Sequence, residues 1–348
     1  MGSDLIVLVS QPRAGSTLVQ RLVASHSEVA TTSEPWLLLP LLAWREPQLV
    51  REARYDDRLA RLGVRTFLES MPDGEAAYRE GVRRMGAYLY DRAVEGTGAT
   101  TFLDKTPRYY YILPDIHQTF PDARIIVLLR NPLSVLASVL TTWIGDDWLS
   151  LHRYRDDLLE APARLIDAAG ASHVSVVRYE DLVQDPKATL RGLCDDLGLA
   201  FEPGMLTYES SADASWALGD QTRITTEQRP MAKSVEKWKR LAAEDPQAWQ
   251  VLTDYLDRLG PATLERMGYD AGACRRALHQ RAPASTRGLF SLDWLLRKPY
   301  GDRHLLERAA VRLQNAFLSG GLRTVARMLT RKASVYADRL FSSRRSDS

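Results

Sequence analysis

The run Leu5-Ile6-Val7-Leu8-Val9 contains no polar residue, so a strand made from it needs apolar cover on both faces, the environment of a parallel sheet. It passes directly into Ser10-Gln11-Pro12-Arg13-Ala14-Gly15-Ser16-Thr17 and then into a helical pattern in which Leu18, Val19, Leu22 and Val23 share one face. A strand, a turn of small residues and a helix in that order form a phosphate cradle. Small side chains let backbone N–H groups approach an anion, and the helix starting near Ser16 adds the positive end of its dipole. Ser16 and Thr17 supply hydroxyls, and Arg13 supplies a fixed charge. A Walker loop reads G-x-x-x-x-G-K-[ST]. Here the first Gly is missing and Ser16 stands in the Lys position, so a phosphate is held by a different recipe.

Further β-rich runs at 101–103, 124–129 and 174–178 alternate with helical patterns at 16–26, 132–142 and 186–198, and helical stretches also run through 36–95. This alternation predicts an α/β fold: a P-loop-like three-layer α/β/α arrangement around a central parallel sheet, with a C-terminal helical extension. A chain of 348 residues is long enough for one large core and an appendage. Arg281-Ala282-Pro283-Ala284-Ser285 reads as a linker, which divides a body of residues 1–280 from an extension of residues 281–348. The polar stretch 200–235 reads as a long loop, of the kind that often forms a lid, before a helix at about 234–241. The formal charge is only +2, but residues 284–348 hold 13 Lys and Arg against 5 Asp and Glu, so the tail is basic and the body acidic. Cys194 and Cys274 read as reduced, and the longest apolar stretch, Trp36 to Trp44, is too short and Pro-broken to span a bilayer. With no basic leader at the N-terminus, a cytoplasmic protein is expected.

The strand Arg124-Ile125-Ile126-Val127-Leu128-Leu129 ends in Arg130-Asn131-Pro132, and the helix after it carries Ser134 and Ser138. A kinase or NTPase usually ends an interior strand in an acidic residue that serves Mg²⁺. Arg130 takes that place. Asn131 suits the helix cap and Pro132 the first turn, which holds Arg130 beside a helix N-terminus at the edge where open α/β sheets place ligands. Two anion sites, residues 12–18 and Arg130 with Ser138, suit a 3′,5′-bisphosphorylated adenosine better than ATP.

On these residues the chain resembles the sulfotransferases that use 3′-phosphoadenosine 5′-phosphosulfate (PAPS). Pro12-Arg13-Ala14-Gly15-Ser16-Thr17-Leu18 is similar to their 5′-phosphosulfate loop, and Arg130 followed eight residues later by Ser138 is similar to their 3′-phosphate motif. The resemblance continues through Phe102-Leu103-Asp104-Lys105-Thr106-Pro107 and Arg178-Tyr179-Glu180-Asp181-Leu182 to Ser234-Val235-Glu236-Lys237-Trp238, over about residues 4–270. It implies in-line transfer of a sulfuryl group from PAPS to an acceptor hydroxyl, with PAP as product and no metal. It also implies cofactor contacts from Arg13, Ala14, Gly15, Ser16, Thr17, Leu18, Arg130, Ser138, Tyr179 and Lys237, with Thr222 near the leaving group.

In the cytosolic branch of that family the base is a His two residues after a Lys, but the run here is Lys105-Thr106-Pro107. The chain looks closer to the branch of tyrosylprotein sulfotransferases and many bacterial enzymes, in which a Glu follows the phosphate loop. Glu34, in Ser33-Glu34-Pro35-Trp36, occupies that place. Its apolar flanks are expected to desolvate the carboxylate and raise its pKa towards that of a base. The other reading of Glu34 is the first-turn acid of a helix after Pro35, with His152 as the alternative base. Lys105 is expected to stabilise the leaving group, or else to form a surface ion pair with Asp104. Arg13 is expected to clamp the 5′-phosphate and the transferring sulfuryl group through its planar guanidinium.

The acceptor pocket is expected from segments 36–95 and 143–160, with Trp36, Trp44, Trp143, Trp148, His152 and Tyr154. Half of these residues fit the core equally well, but aromatic platforms suit sugar rings, so a saccharide or glycolipid hydroxyl is the first choice and a specialised metabolite the second. No nucleic-acid partner is expected. In the tail, Leu305, Leu306, Ala309, Leu313, Phe317, Leu322, Val325 and Leu329 form an apolar stripe among arginines. That pattern suits peripheral contact with anionic lipid, or a helical pair packed on the body or against a second copy. Two other classes stay open: a small-molecule P-loop kinase, which needs the missing Lys and strand-end acid, and a non-catalytic nucleotide-binding protein of the same fold, which has no use for Glu34 and Lys105.

Overall fold

The computed structural model describes residues 4–42, 57–171, 173–206, 236–284, 286 and 288–297. Five strands, β1 (Asp4–Ser10), β2 (Val29–Thr31), β3 (Thr101–Lys105), β4 (Arg124–Leu129) and β5 (Val174–Arg178), pair in the order β2-β3-β1-β4-β5, and every pair is parallel. The apolar strand β1 lies at the centre. Its alternate residues serve two cores: Leu5, Val7 and Val9 face one layer, and Ile6 and Leu8 the other. Strand β4 divides in the same way, with Ile125, Val127 and Leu129 on one face and Ile126 and Leu128 on the other. Burying each such side chain contributes about 1.5–3 kcal/mol, so the apolar run 5–9 at the middle of β1 is what a sheet covered on both faces requires.

The helices in chain order are α1 (Ser16–Ala24), α2 (Leu38–Leu42), α3 (Asp57–Glu69), α4 (Gly74–Val94), α5 (Leu113–Thr119), α6 (Pro132–Val139) and α7 (Arg155–Leu159). They continue as α8 (Ala161–Ala168), α9 (Tyr179–Gln184), α10 (Pro186–Leu197), α11 (Lys237–Glu244), α12 (Pro246–Arg266), α13 (Ala271–His279) and α14 (Leu292–Leu295). Val19, Leu22 and Val23 of α1 pack with Leu190, Leu193 and Leu197 of α10 on one face of the sheet. On the other face Leu133 and Leu136 of α6 meet Val251, Leu252 and Tyr255 of α12. This is the three-layer arrangement expected from the alternating pattern.

Several boundaries differ from the sequence reading. The helical stretch 36–95 resolves into α2, α3 and α4, and the short edge strand β2 was not anticipated. Three residues, Val29-Ala30-Thr31, are too few to show a period. Strand β3 runs past the expected 101–103 to Lys105, which is therefore the last strand residue rather than one beyond its end. Helix α6 ends at Val139 and passes into a π-helical turn, Leu140–Ile144, that closes on Gly145. Helix α14 and its C-cap add Leu292, Leu295 and Leu296 to the same core as α12, whose Gln247 bonds the backbone of Leu289 and Phe290. Cys194 and Cys274 are buried free thiols. No helix among the described residues is long and apolar enough to cross a membrane. Trp44, Thr222 and the tail stripe from Leu305 to Leu329 lie outside the described residues.

Candidate active site

Because all five strands run the same way, their C-terminal ends open on one rim, and the register decides which side chains meet there. Leu8 lies opposite Lys105, Ser10 opposite Leu128, and Leu129 opposite Arg178. The residues that follow this last pair, Arg130 and Tyr179, therefore leave the sheet side by side, and the Arg130 guanidinium lies 4.2 Å from the Tyr179 ring centroid.

The loop after β1 is held from beneath by Gln11, whose Nε2 donates to the Asp157 carbonyl at 2.9 Å. Arg13 and Gly15 both adopt positive φ, +70° and +101°. Gly15 is required for two reasons. Its backbone is left-handed, and a Cβ there would come within 2.5 Å of the Tyr179 ring. Gly15 caps α1, and the first helical bonds come from the Leu18 and Val19 amides to its carbonyl. The amides of Ser16 and Thr17 thus belong to the set that a helix leaves without intrahelical partners, the usual donors to a bound anion.

Arg13 turns across the rim. Its Nε donates to Ser138 Oγ at 3.1 Å, one Nη donates to Thr142 Oγ1 at 3.3 Å, and the guanidinium lies 5.5 Å from the Trp143 ring. Arg130, only 5% exposed, donates from Nη1 to the Arg13 carbonyl at 3.0 Å. The loop 12–18 and the Arg130–Ser138 pair, separate in the sequence, are joined in space through Arg13. Asn131 caps α6 as expected, accepting the Leu133 amide at 3.0 Å, while its own N–H donates to Glu180, a carboxylate also held by the Tyr269 hydroxyl.

On the opposite side of β1, strand β2 leads into Thr32, Ser33 and Glu34. Buried Gln20 of α1 fastens this exit by donating to Thr31 Oγ1 and the Thr32 carbonyl. Glu34 Oε1 accepts from Lys105 Nζ at 2.6 Å, and its Oε2 accepts from the Trp36 indole at 3.2 Å. The two charged side chains are 14% and 1% exposed. Helix α2 begins only at Leu38, so Glu34 is not a first-turn acid, and in place of the alternative surface pair with Asp104, Lys105 makes this largely buried one. Trp36 has φ +52°, unusual for a bulky residue.

Asp104, fully buried, instead accepts the hydroxyls of Tyr90, Tyr109 and Thr106. Burial pushes its carboxyl up to about 6, against the opposing pull of those hydroxyl hydrogen bonds. This network was missed in the sequence. A carboxylate inside the otherwise buried run Thr101-Phe102-Leu103-Asp104 was the available signal.

The expected acceptor aromatics divide. Trp143 is exposed and stacks on Tyr154 at 4.8 Å. Trp36 is half-buried, with the Arg108 guanidinium 5.9 Å from its ring. Trp148 is a core residue, buried among Leu151, Leu158 and α14, and not part of an open platform. Arg108, unread in the sequence, is anchored by a bidentate pair with buried Asp157 at 3.0 and 2.7 Å. His152 is half-buried and donates from Nδ1 to the Leu149 carbonyl at 2.6 Å. Tyr179 is buried against the loop. Lys237 is exposed at the start of α11, whereas its neighbour Trp238 is buried in the core. Among the described residues no three His, Cys, Asp or Glu side chains are grouped to hold a metal ion.

The model of the sulfotransferase family matches residues 5–203. Nodulation protein NoeE of Sinorhizobium fredii is 27% identical over 85% of this chain and 74% of its own length. Protein-tyrosine sulfotransferase A of Caenorhabditis elegans is 22% identical over 78% of this chain and 68% of its own. Among solved structures, the sulfotransferase domain of the Synechococcus olefin synthase superposes with a TM-score of 0.52 at 23% identity, covering 77% of this chain and 96% of that one. The sulfotransferase domain from the curacin biosynthetic pathway gives 0.51 at 20%, over 78% of this chain and 99% of that one. Both likenesses are of fold.

Proposed function

This chain belongs to the sulfotransferase family, and we propose that it carries the sulfuryl group of PAPS to a hydroxyl of an acceptor, a saccharide or glycolipid first and a specialised metabolite second. One observation carries this reading: the cationic clamp of Arg13 and Arg130 shares a rim with the Lys105–Glu34 pair. The cradle fits PAPS. Gly15 is left-handed where any Cβ would strike Tyr179, and Arg130, which with Ser138 resembles the 3′-phosphate motif, is a buried fixed charge.

Under this reading the backbone of Ala14 to Leu18 and the Ser16 and Thr17 hydroxyls hold the 5′-phosphate, while Arg130 and Ser138 hold the 3′-phosphate. Tyr179 supports the site from below, and Lys237 and Thr222 are assigned to the cofactor lid by resemblance alone. PAPS supplies the activated sulfuryl group. Arg13, whose fork matches two oxygens at once, is assigned to the 5′-phosphate and the sulfuryl group by resemblance, and must turn from Ser138 and Thr142 to reach them. Lys105 stabilises the oxygen on which charge develops, and Glu34 takes the acceptor proton. When Lys105 turns to the leaving oxygen, the Glu34 carboxylate is released to act as the base. Trp36, Trp143 and Tyr154 wall the acceptor side. The basic tail is assigned to an anionic lipid surface, or to a helical pair packed on the body or against a second copy; liposome flotation of the full chain against a chain ending at Arg297 tests the first.

Labelled PAPS offered to polysaccharide, glycolipid and small-metabolite fractions tests the reaction and names the acceptor class. Calorimetry separates it from a kinase: PAP binding without Mg²⁺ is expected, and binding of ATP with Mg²⁺ but not of PAP would overturn it.

A further inference from the structure

Asp104 has no part in the reaction proposed above, yet it is fully buried next to Lys105. Its Oδ2 accepts the Tyr90 and Tyr109 hydroxyls at 2.7 and 3.0 Å, and its Oδ1 accepts the Thr106 hydroxyl at 3.0 Å. An ionised carboxylate has no proton to give, so all three hydroxyls turn their protons inward. Two of them then present lone pairs outward, and the next segment uses both. Tyr109 Oη accepts the Leu38 amide at 2.9 Å, and Thr106 Oγ1 accepts the Trp36 amide at 3.4 Å.

Trp36, one end of that grip, is held at φ +52°. Such a conformation persists only where the surroundings over-determine it. Its indole in turn donates to Glu34 Oε2. A carboxylate is a costly residue to bury, and support alone is available from an apolar side chain. What only an acceptor-only group supplies here is the direction of the hydroxyl protons.

We infer that Asp104 is a positioning residue: by orienting the Thr106 and Tyr109 hydroxyls it clamps the Trp36–Leu38 backbone and so sets the Glu34 carboxylate against Lys105. The inference rests on the reading of Glu34 as the base. An Asn at this position brings two N–H donors in place of an oxygen, so at least one hydroxyl must turn its proton away from residue 104, and its hold on the backbone amide is no longer fixed.

The test compares Asp104→Asn, Glu34→Gln and the double variant for kcat, acceptor KM, PAP affinity by calorimetry and Tm. Asp104→Asn is expected to lower kcat about 10- to 100-fold, the scale of a misplaced reacting group, with PAP affinity within about twofold. In the Glu34→Gln background the same substitution is expected to change kcat less than about twofold, because a residue acting through another is non-additive with it. Thr106→Ser, which keeps the hydroxyl, is expected to retain activity, while Thr106→Val falls with Asp104→Asn. Full kcat in Asp104→Asn, additive losses in the double variant, or PAP affinity lost in step with kcat would each overturn the inference. Absence of turnover in the unsubstituted protein would count against the proposed reaction instead. A crystal structure of Asp104→Asn then decides the inference alone: Trp36 leaving positive φ and Glu34 parting from Lys105 supports it, and an unchanged segment sinks it.

Discussion

Arg130 donates to the backbone carbonyl of Arg13, so the residue after β4 holds the shape of the loop after β1. That one bond couples the two halves of the proposed anion clamp.

Replacing Arg130 with Ala removes both a charge and the support of the loop. Hydrogen bonds to charged groups contribute about 1.5–3 kcal/mol, so PAP affinity is expected to fall roughly 10- to 150-fold. Titration calorimetry without metal reads this directly, and an unchanged affinity would remove Arg130 from the clamp.

Gly15→Ala places a methyl group 2.5 Å from the Tyr179 ring on a backbone with φ +101°. A strained backbone position costs about 1–3 kcal/mol, with the clash in addition. A lower urea midpoint and a lower affinity for PAP are expected together, since the same methyl group also displaces Tyr179 from Arg130.

Glu34→Gln keeps an oxygen for Lys105 Nζ and removes the ability to accept a proton. General-base catalysis contributes about 10²–10⁴-fold, and a kcat loss of that order is expected while PAP still binds. Retained turnover would transfer the role elsewhere, with His152 the next residue to substitute.

The pH dependence of folding follows from Asp104. In the folded chain its carboxyl holds a proton up to about pH 6, against an ordinary value of 3.8. Between those values the native state binds the proton and the unfolded chain does not, so this group's contribution to stability falls as pH rises from about 4 to about 6 and is level above. The hydroxyls of Tyr90, Tyr109 and Thr106 and, through its charge, Lys105 oppose the shift without abolishing it. Urea midpoints across that window are expected to flatten in Asp104→Asn.

Trp143→Ala strips the exposed face of the Trp143–Tyr154 stack. Acceptor KM is expected to rise about 3- to 10-fold, the scale of an aromatic pair beyond simple burial, with PAP affinity changed less than acceptor KM. Equal losses for both ligands would move this stack to the nucleotide side.

Much of this site was legible because strand, turn and cap chemistry are local. The loop after Val9, the Asn131 cap and the exit of Arg130 are all encoded within a few residues of where they act. The contact of Arg13 with Ser138 was not legible, since it depends on how far α6 runs before its π-helical turn. Nor was the partner of Lys105. Asp104 is its neighbour in sequence, but successive strand residues point to opposite faces, and the carboxylate that reaches it comes from beyond a three-residue strand with no period of its own. Trp148 stays open between pocket and core in the sequence, because an aromatic residue in a variable segment looks the same whichever it faces, and the fold puts it in the core.

Arg13, Glu34, Lys105, Arg130 and Tyr179 come from five separate stretches of the chain, brought together only by strand register. No fragment possesses the site, and the unfolded chain has none of it. A ligand that grips two strand ends at once therefore favours the native state by mass action, by about 2.7 kcal/mol at a hundred times its Kd. Melting temperature is thus a gauge of occupancy that requires no acceptor and no turnover.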